Sequence, residues 1–275
     1  MLKQQKTGSI ICPSCGKLIS ANAERCIHCG RKNPGLWGYS EIIRKIFGTD
    51  LGFIPIATAF CVVMYVISLL LDPSAIFKSR SLFDILSPSG QSLLLLGATG
   101  SYPLSHGRWW TILTAIYLHG SLIHILFNML WFRQLGSYVQ DLFGNARLVI
   151  IFTVSGVAGF IVSNSFGIQF TIGASGSIFG LLGALIFYGR KRGGEFGMSV
   201  LRQVGSWAIV LFLFGFLWSG INNWAHFGGF VGGYLSAMVI GFHETNRENQ
   251  VHQMLAIGCV VITLVAFGLS ILGGL

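Results

Sequence analysis

Residues 173–180 read Gly-Ala-Ser-Gly-Ser-Ile-Phe-Gly, and residues 225–233 read Ala-His-Phe-Gly-Gly-Phe-Val-Gly-Gly. Each stretch lies inside a long run without Lys, Arg, Asp or Glu, which is typical of membrane helices. In both stretches glycines stand four residues apart, at Gly176 and Gly180, at Gly228 and Gly232, and at Gly229 and Gly233. This spacing lets membrane helices approach closely, because no side chain holds the backbones apart. We therefore predict that these two helices touch.

The composition of the rest of the chain fits a membrane protein. Of 275 residues, 53% are hydrophobic and only 10% are charged, whereas soluble domains are about one-quarter charged. Low hydrophobicity marks disordered chains, so disorder is excluded as well. A net charge of +9 would suit nucleic-acid binding, but the basic residues cluster beside long apolar runs, as in cytoplasmic loops. We expect a multi-pass protein in contact with the lipid bilayer and no nucleic-acid partner.

The apolar runs predict seven membrane helices, because about 20 apolar residues of helix cross a bilayer. Single crossings are predicted at 52–71, 112–132 and 253–275. Two uncharged runs, 148–189 and 203–243, each fit two crossings, broken near 164–169 and near 219–223. The predicted fold class is an all-α polytopic membrane protein. The long connection at 72–110 is rich in apolar residues, which predicts that it dips into the outer leaflet.

Loop charge predicts the orientation in the membrane. With a cytoplasmic N-terminus, the inner connections are 133–147, 190–202 and 243–252, and they hold seven basic residues, whereas the outer connections 164–170 and 219–223 hold none. Short cytoplasmic loops carry such an excess, so the C-terminus is expected outside. No cleavable signal peptide is visible, and we expect a retained anchor and a location in a bacterial inner (cell) membrane.

The N-terminal segment contains two CxxC pairs, Cys12 with Cys15 and Cys26 with Cys29. Four thiolates at this spacing are the ligands of a closed structural zinc site. About 35 residues bury too small a core by themselves, so metal binding would supply folding free energy. Two disulfides are the alternative, which a cytoplasmic location disfavours. We predict a cytosolic zinc ribbon over 1–35, able to bind a cytosolic partner.

Polar side chains in the predicted spans indicate chemistry, since such groups are costly in lipid. Ser175, flanked by small residues, offers a nucleophile, and His226 on the sixth predicted helix offers its base. His124 and Asn128 share one face of the second predicted helix, and with the Ser175 backbone N–H they can donate to an oxyanion. These three helices hold no acidic residue, which predicts a Ser–His dyad. No cofactor is expected for catalysis.

Each of these motifs has a plainer interpretation when it is taken alone. Gly-Ala-Ser-Gly is a common packing motif of membrane helices, and His124 with Asn128 could line a transport path. Their conjunction favours a hydrolase over a transporter or a non-catalytic scaffold that binds transmembrane helices. Ion flux in vesicles would identify the transporter, and a phenotype that persists in Ser175→Ala would identify the scaffold.

Over roughly residues 50–242 the chain resembles the rhomboid family of intramembrane serine proteases. The resemblance rests on the boxes at 173–176 and 225–229 and on the spacing of His119, His124 and Asn128. It implies that Ser175 is the nucleophile and His226 the base, with His124 and Asn128 as oxyanion donors, and that the substrates are transmembrane segments of other proteins.

The resemblance also implies supporting roles and an architecture. His119 would organise the outer loop, and Phe179 would stack on the base histidine, while Gly173 and Gly176 beside Ser175 leave room for a substrate backbone. A six-helix core is implied over 51–243, with the membrane-dipping loop 72–110 inside it. A basic linker or surface helix at 36–50 would precede this core, and a seventh helix at 252–275 would follow it.

One position departs from the family pattern. Thr111 stands where an arginine is expected, and Arg108 lies three residues earlier. This departure removes no catalytic group, but it leaves the hydrogen bonds of the outer loop unpredicted.

Overall fold

The computed structural model describes residues 7–12, 17–28, 30, 32–35, 52–78, 84–217 and 220–273. The chain divides into two compact units, Met1–Ala59 and Phe60–Leu275. The predicted linker at 36–50 lies outside the described residues.

The first unit contains a short antiparallel hairpin. Its strands are β1 (Ser9–Ile11) and β2 (Leu18–Ser20), with Ile10 opposite Ile19. Among the described residues of this unit, one cluster of buried side chains consists of Ile10, Cys12, Ile19, Ala21 and Cys26.

The other elements that the structure describes are helices. They are α1 (Phe53–Leu70), α2 (Gly90–Leu96), α3 (Ser101–Ser105), α4 (Thr111–Thr114), α5 (Leu122–Phe143), α6 (Asn145–Ser165), α7 (Ser175–Arg192), α8 (Gly194–Leu217), α9 (Asn223–Ile240) and α10 (Gln250–Leu272), with 3-10 turns at Pro73–Lys78 and Ala115–Tyr117. In the second unit, α9 packs mainly against α6 and α7, α8 lies against α7, and α10 lies against α6.

Four helices of the described chain are long and apolar enough to cross a membrane, namely α1, α6, α8 and α10. The pair formed by Thr111–Tyr117 and Leu122–Phe143 would count as a fifth span, bent by 91°. The predicted set of seven spans is therefore confirmed in part, and the crossings by α7 and α9 stay a prediction. These two helices are rich in glycine and polar residues, which lowers their mean hydropathy.

The predicted second span, 112–132, is wrong as a single helix. The chain forms α4 and a 3-10 turn, leaves helical geometry after Tyr117, and starts again at Leu122. Ser121 is extended and caps α5, since its hydroxyl accepts a hydrogen bond from the His124 N–H at 3.2 Å. A serine cap starts a new helix at this point, so His119 precedes α5 and does not lie on it.

The predicted inner connection at 133–147 is also wrong. Helix α5 continues to Phe143, and α6 begins at Asn145, so the whole connection is Gly144. Gly144 has φ +101°, and an added Cβ would lie 2.5 Å from the Glu248 carboxyl carbon. Glycine alone fits such a turn, whereas the charged residues on either side had suggested a longer loop.

Candidate active site

Helices α7 and α9 approach each other through their glycines. A Cβ atom added to Gly229 would overlap the carbonyl oxygen of Gly176, and one added to Gly233 would overlap that of Gly180. Helix α6 completes the contact, because a Cβ on Gly159 would lie 2.6 Å from the carbonyl oxygen of Ala225. The predicted contact between the two glycine-rich helices is confirmed, and it is made backbone against backbone.

This approach brings the side chains of Ser175 and His226 together. The Ser175 Oγ lies 2.9 Å from the His226 Nε2, within hydrogen-bond distance. Ser175 is the first residue of α7 and is partly exposed, whereas His226 is buried one turn into α9. An alcohol and an imidazole in this arrangement can share a proton, which is the requirement for a nucleophile activated by a base.

Stacking on one aromatic side chain orients the ring of His226. The ring of Phe179, one turn after Ser175, stacks on it at a centroid distance of 4.2 Å and an interplanar angle of 13°. The Nδ1 atom is buried and has no hydrogen-bond partner among the described residues. For Nε2 to accept the serine proton, Nδ1 must carry the ring hydrogen. That nitrogen therefore bonds to no carboxylate of the described residues, and the Ser–His dyad stays a prediction.

The first turn of α7 leaves backbone donors beside Ser175. Its cap residue is Ala174, whose side chain has no hydrogen-bonding atom. The first N–H groups of a helix have no acceptor within that helix, and the helix dipole favours negative charge near them. This end of α7 can therefore stabilise an oxyanion that develops next to Ser175.

His124 and Asn128 lie on one face of α5, as predicted. The Asn128 Nδ2 donates to the carbonyl oxygen of His124 at 2.8 Å. A Cβ on Gly173 would lie 2.8 Å from the His124 Nε2, so the absent side chain makes room for the imidazole. The Gly173 N–H donates to the Ala115 carbonyl oxygen at 2.8 Å, which holds this segment against the turn that precedes α5.

His119 is fully buried outside the helix that had been predicted to carry it. Its ring centroid lies 5.1 Å from that of His124, with the two rings edge to face. Neither ring nitrogen of His119 has a hydrogen-bond partner among the described residues. The structure thus places His119 beside His124. The ring of His119 makes no hydrogen bond to Ser175 or His226.

Sequence reasoning missed Asn222, which fixes the start of α9. Its Oδ1 accepts from the Ala225 N–H at 3.1 Å, while its Nδ2 donates to the hydroxyls of Ser163, at 2.6 Å, and Thr171, at 3.0 Å. The Asn222 carbonyl oxygen accepts from the His226 N–H at 3.2 Å. Asparagine directly before an apolar helix is a recognised cap signal, so this residue could have been found in the sequence.

The departure at Thr111 has a local explanation. Its hydroxyl donates to the Arg108 carbonyl oxygen at 2.7 Å and lies 3.0 Å from the Thr99 hydroxyl. Thr99 pairs through its backbone with Thr171, close to the start of α7. Arg108 turns inwards, and its Nη1 donates to the Leu94 carbonyl oxygen at 3.0 Å. The connection that leads to α4 therefore has a buried arginine, three residues before the position at which the family pattern places one.

Comparison with known proteins agrees with this geometry. The Rhomboid domain model matches residues 106–243. The chain is 35% identical to the rhomboid protease GluP of Bacillus subtilis over 159 residues, which are 56% of this chain and 31% of that protein. It is 33% identical to RHOMBOID-like protein 7 of Arabidopsis thaliana over 190 residues, covering 65% of this chain and 58% of that one.

A third relative is the rhomboid protease GlpG of Salmonella choleraesuis, which is 33% identical over 141 residues, 50% of this chain and 51% of its own length. The matched region thus spans less than two thirds of each of these relatives. The matched domain contains Ser175, His226, His124 and Asn128, and it ends before α10.

Proposed function

The chain belongs to the rhomboid family, and from this premise we propose that it is an intramembrane serine endopeptidase. Its substrates would be membrane proteins cleaved in or beside a transmembrane helix. The observation that carries the proposal is the 2.9 Å contact between the Ser175 Oγ and the His226 Nε2. That contact joins two helices whose backbones touch, at the end of the bundle where donors for an oxyanion are also present.

The reaction would proceed through an acyl-enzyme. The Ser175 Oγ attacks the carbonyl carbon of the scissile bond while the His226 Nε2 takes the hydroxyl proton. The C–N bond then breaks, and His226 passes that proton to the leaving amine. A water molecule, deprotonated by His226, attacks the resulting ester, and the proton returns to Ser175 as the carboxylic acid product leaves.

The negative charge on the carbonyl oxygen would be met by three donors. These are the backbone N–H of Ser175, the imidazole of His124 and the side-chain amide of Asn128. Removal of one such donor typically lowers kcat by about 10²–10³. Gly173 and Gly176 would leave room for the substrate backbone, Phe179 would hold the base in place, and His119 would support His124 from behind.

Labelling with a fluorophosphonate probe tests the proposal. We expect the probe to modify Ser175 in the full-length chain, and we expect Ser175→Ala to abolish both labelling and cleavage of a reporter transmembrane substrate. Ser177→Ala is the matched control, since Ser177 lies on the same helix and its buried hydroxyl has no hydrogen-bond partner among the described residues. Equal labelling of wild type and Ser175→Ala would overturn the proposal.

We further propose an orientation with the N-terminus in the cytoplasm and the C-terminus outside, in a bacterial inner membrane. Three basic residues, Arg190, Lys191 and Arg192, end α7 at the pole opposite Ser175. Basic residues of this kind favour the cytoplasmic side. The active site would then lie towards the outer face, where water can enter.

For the N-terminal segment we propose a structural zinc ion held by Cys12, Cys15, Cys26 and Cys29. Cys12 and Cys26 are buried in the hairpin core, and the His28 N–H donates to the Cys26 Sγ at 3.4 Å. A buried thiolate that accepts a backbone N–H suits a metal ligand. Cys15 and Cys29 lie outside the described residues. Within the described part of the chain, no cluster of three or more metal-binding side chains occurs.

Metal analysis of the freshly purified, reduced protein tests the zinc proposal. We expect one zinc ion per chain, lost when Cys12 and Cys15 are both replaced by serine. Because metal binding would supply the folding free energy of this segment, chelation should also increase its proteolysis. Protein that contains no zinc yet resists proteolysis in this segment would refute the proposal.

A further inference from the structure

The imidazole of His124 accepts a hydrogen bond from the backbone at its Nδ1 atom. The Gly120 N–H donates to the His124 Nδ1 with an N···N distance of 3.2 Å. The same turn caps α5, because the Ser121 hydroxyl accepts the N–H of His124. The donor and the ring therefore belong to one short local structure, in which the Gly120 amide cannot turn away independently.

This hydrogen bond discriminates between the protonation forms of the ring. A histidine has one neutral form with the proton on Nδ1, one with the proton on Nε2, and a cation with both. An N–H that points at Nδ1 can be accepted only by a nitrogen with a free lone pair. The first neutral form and the cation would place two hydrogens against each other, so the form protonated on Nε2 is favoured.

The protonated Nε2 faces the segment that leads into α7. The space that a Cβ of Gly173 would occupy is taken by the His124 Nε2 and Cε1, at 2.8 and 2.9 Å. Gly173 precedes Ser175 by two residues, and the Ala115 carbonyl oxygen holds its N–H. We infer that the Gly120 N–H is a positioning group that fixes His124 as the Nε2–H tautomer and so makes it an oxyanion donor.

This inference rests on the proposed function for its catalytic meaning, but the tautomer can be measured independently. It also separates the roles of the two histidines near Ser175. His226 must keep Nε2 free to accept a proton, whereas His124 must keep Nε2 protonated to donate one. The backbone of Gly120 fixes that difference for His124 without any acidic side chain.

Nitrogen NMR of the full-length protein with labelled histidine measures the tautomer. We expect the His124 signals, assigned by their loss in His124→Gln, to show an unprotonated Nδ1 and a protonated Nε2. Replacing the amide of Gly120 by an ester, through incorporation of glycolic acid at position 120, removes the N–H without changing the shape of the backbone. The ester oxygen should shift His124 towards the Nδ1–H form.

The ester variant should lower kcat by roughly tenfold or more with little change in KM, since the lost donation acts in the transition state. Gly120→Ala is the conservative variant, because it keeps the N–H and an added Cβ lies 3.5 Å from Ile172 Cδ1, an ordinary contact. It should retain the wild-type tautomer and most of the activity. Gly120→Pro also lacks the N–H, and the folded variant should show the same change in tautomer and in kcat as the ester.

A wild-type His124 protonated on Nδ1 would overturn the inference, and so would an ester variant with unchanged tautomer and unchanged kcat. Failure of the proposed function looks different. In that case the wild type would neither cleave a reporter nor react with the fluorophosphonate probe, while the histidine spectrum would still support the assignment of the tautomer.

Discussion

The two ends of α6 are held by different kinds of groups. At the end that leads to Ser175 and His226, neutral groups make the contacts, and Asn222 joins the hydroxyl of Ser163 to the start of α9. At the opposite end, a carboxylate and a buried guanidinium hold the chain. There the Glu248 Oε1 accepts the N–H of Arg147, and the Arg147 Nη2 donates to the Asn246 carbonyl oxygen at 2.8 Å.

This difference matches what each end has to do. In the proposed reaction a proton would move between Ser175 and His226, and a permanent charge beside them would fix the protonation state of the imidazole. The opposite end carries no proposed chemistry, so charged groups can be used there for attachment. Arg147 is fully buried, and it is stable in that position because carbonyl oxygens and the nearby carboxylate compensate its charge.

The largest expected effect comes from separating the helices at the catalytic end. In Gly229→Ala the new Cβ would overlap the Gly176 carbonyl oxygen, and neither backbone can move without shifting its helix. We expect stability to fall by about 3 kcal/mol and kcat to fall by at least about 10²-fold, because a small displacement of the catalytic groups is costly. Thermal unfolding in detergent and reporter cleavage measure the two effects.

Gly258→Ala is the matched control for this substitution. Gly258 lies within α10, and an added Cβ would meet nothing within 4 Å. We expect wild-type activity and a small gain in stability from the better helix propensity of alanine. If Gly229→Ala behaved like this control, close backbone contact would not be what brings Ser175 to His226.

The next effect, at the opposite end of α6, should separate stability from activity. Glu248→Ala removes the acceptor of the Arg147 N–H and the negative charge at the start of α6. We expect a loss of about 2 kcal/mol, the upper end of the cost of a missing helix cap. Arg147 also loses a compensating charge, but the carbonyl oxygens of Phe143 and Asn246 still accept from its guanidinium. Because the catalytic end is built separately, kcat should stay within about twofold of wild type.

Glu248→Gln keeps an oxygen acceptor without the charge, and it should lose less stability than Glu248→Ala. Both variants are to be measured by thermal unfolding and reporter cleavage. A fall in kcat as large as that in Gly229→Ala would mean that the two ends of α6 are coupled through the helix.

The contact between α7 and α9 was predictable because glycine spacing acts locally and needs no knowledge of the loops. The proximity of Ser175 to His226 followed from it, since both residues lie beside the glycines that make the contact. The break before α5 was not predicted, because His119, Gly120 and Ser121 lie within an apolar run and hydropathy alone does not register a cap. A search for serine or asparagine before each helix would have located both this cap and the one at Asn222.

The single-residue turn at Gly144 and the hydrogen bond from Gly120 to His124 depend on backbone geometry. Glycine permits the turn at Gly144 but does not specify it, because the sequence does not show that the side chain of Glu248, far later in the chain, occupies the adjacent space. The second involves a main-chain N–H that every residue except proline possesses. Features of this kind become visible only when the coordinates are known.

The smallest effect should come from the exposed ion pair between Arg192 and Glu244. The Arg192 Nε lies 2.6 Å from the Glu244 Oε2, and the two side chains are 40% and 48% exposed. Pairs in this setting contribute about 0.2–1 kcal/mol and are screened by salt. We therefore expect Arg192→Ala to cost less than about 0.5 kcal/mol in thermal unfolding and to leave reporter cleavage unchanged.

Glu244→Ala should cost more than Arg192→Ala, even though both remove the same ion pair. The Glu244 Oε1 also accepts a hydrogen bond from the Tyr188 hydroxyl at 3.0 Å. The side chain of Tyr188 is fully buried. Loss of this acceptor adds about 1 kcal/mol, which should persist at high salt because it is not a charge–charge interaction. If the two variants instead lost equal stability at every salt concentration, the charge of Glu244 and not its hydrogen bond to Tyr188 would stabilise this end. The two ends would then differ only in charge.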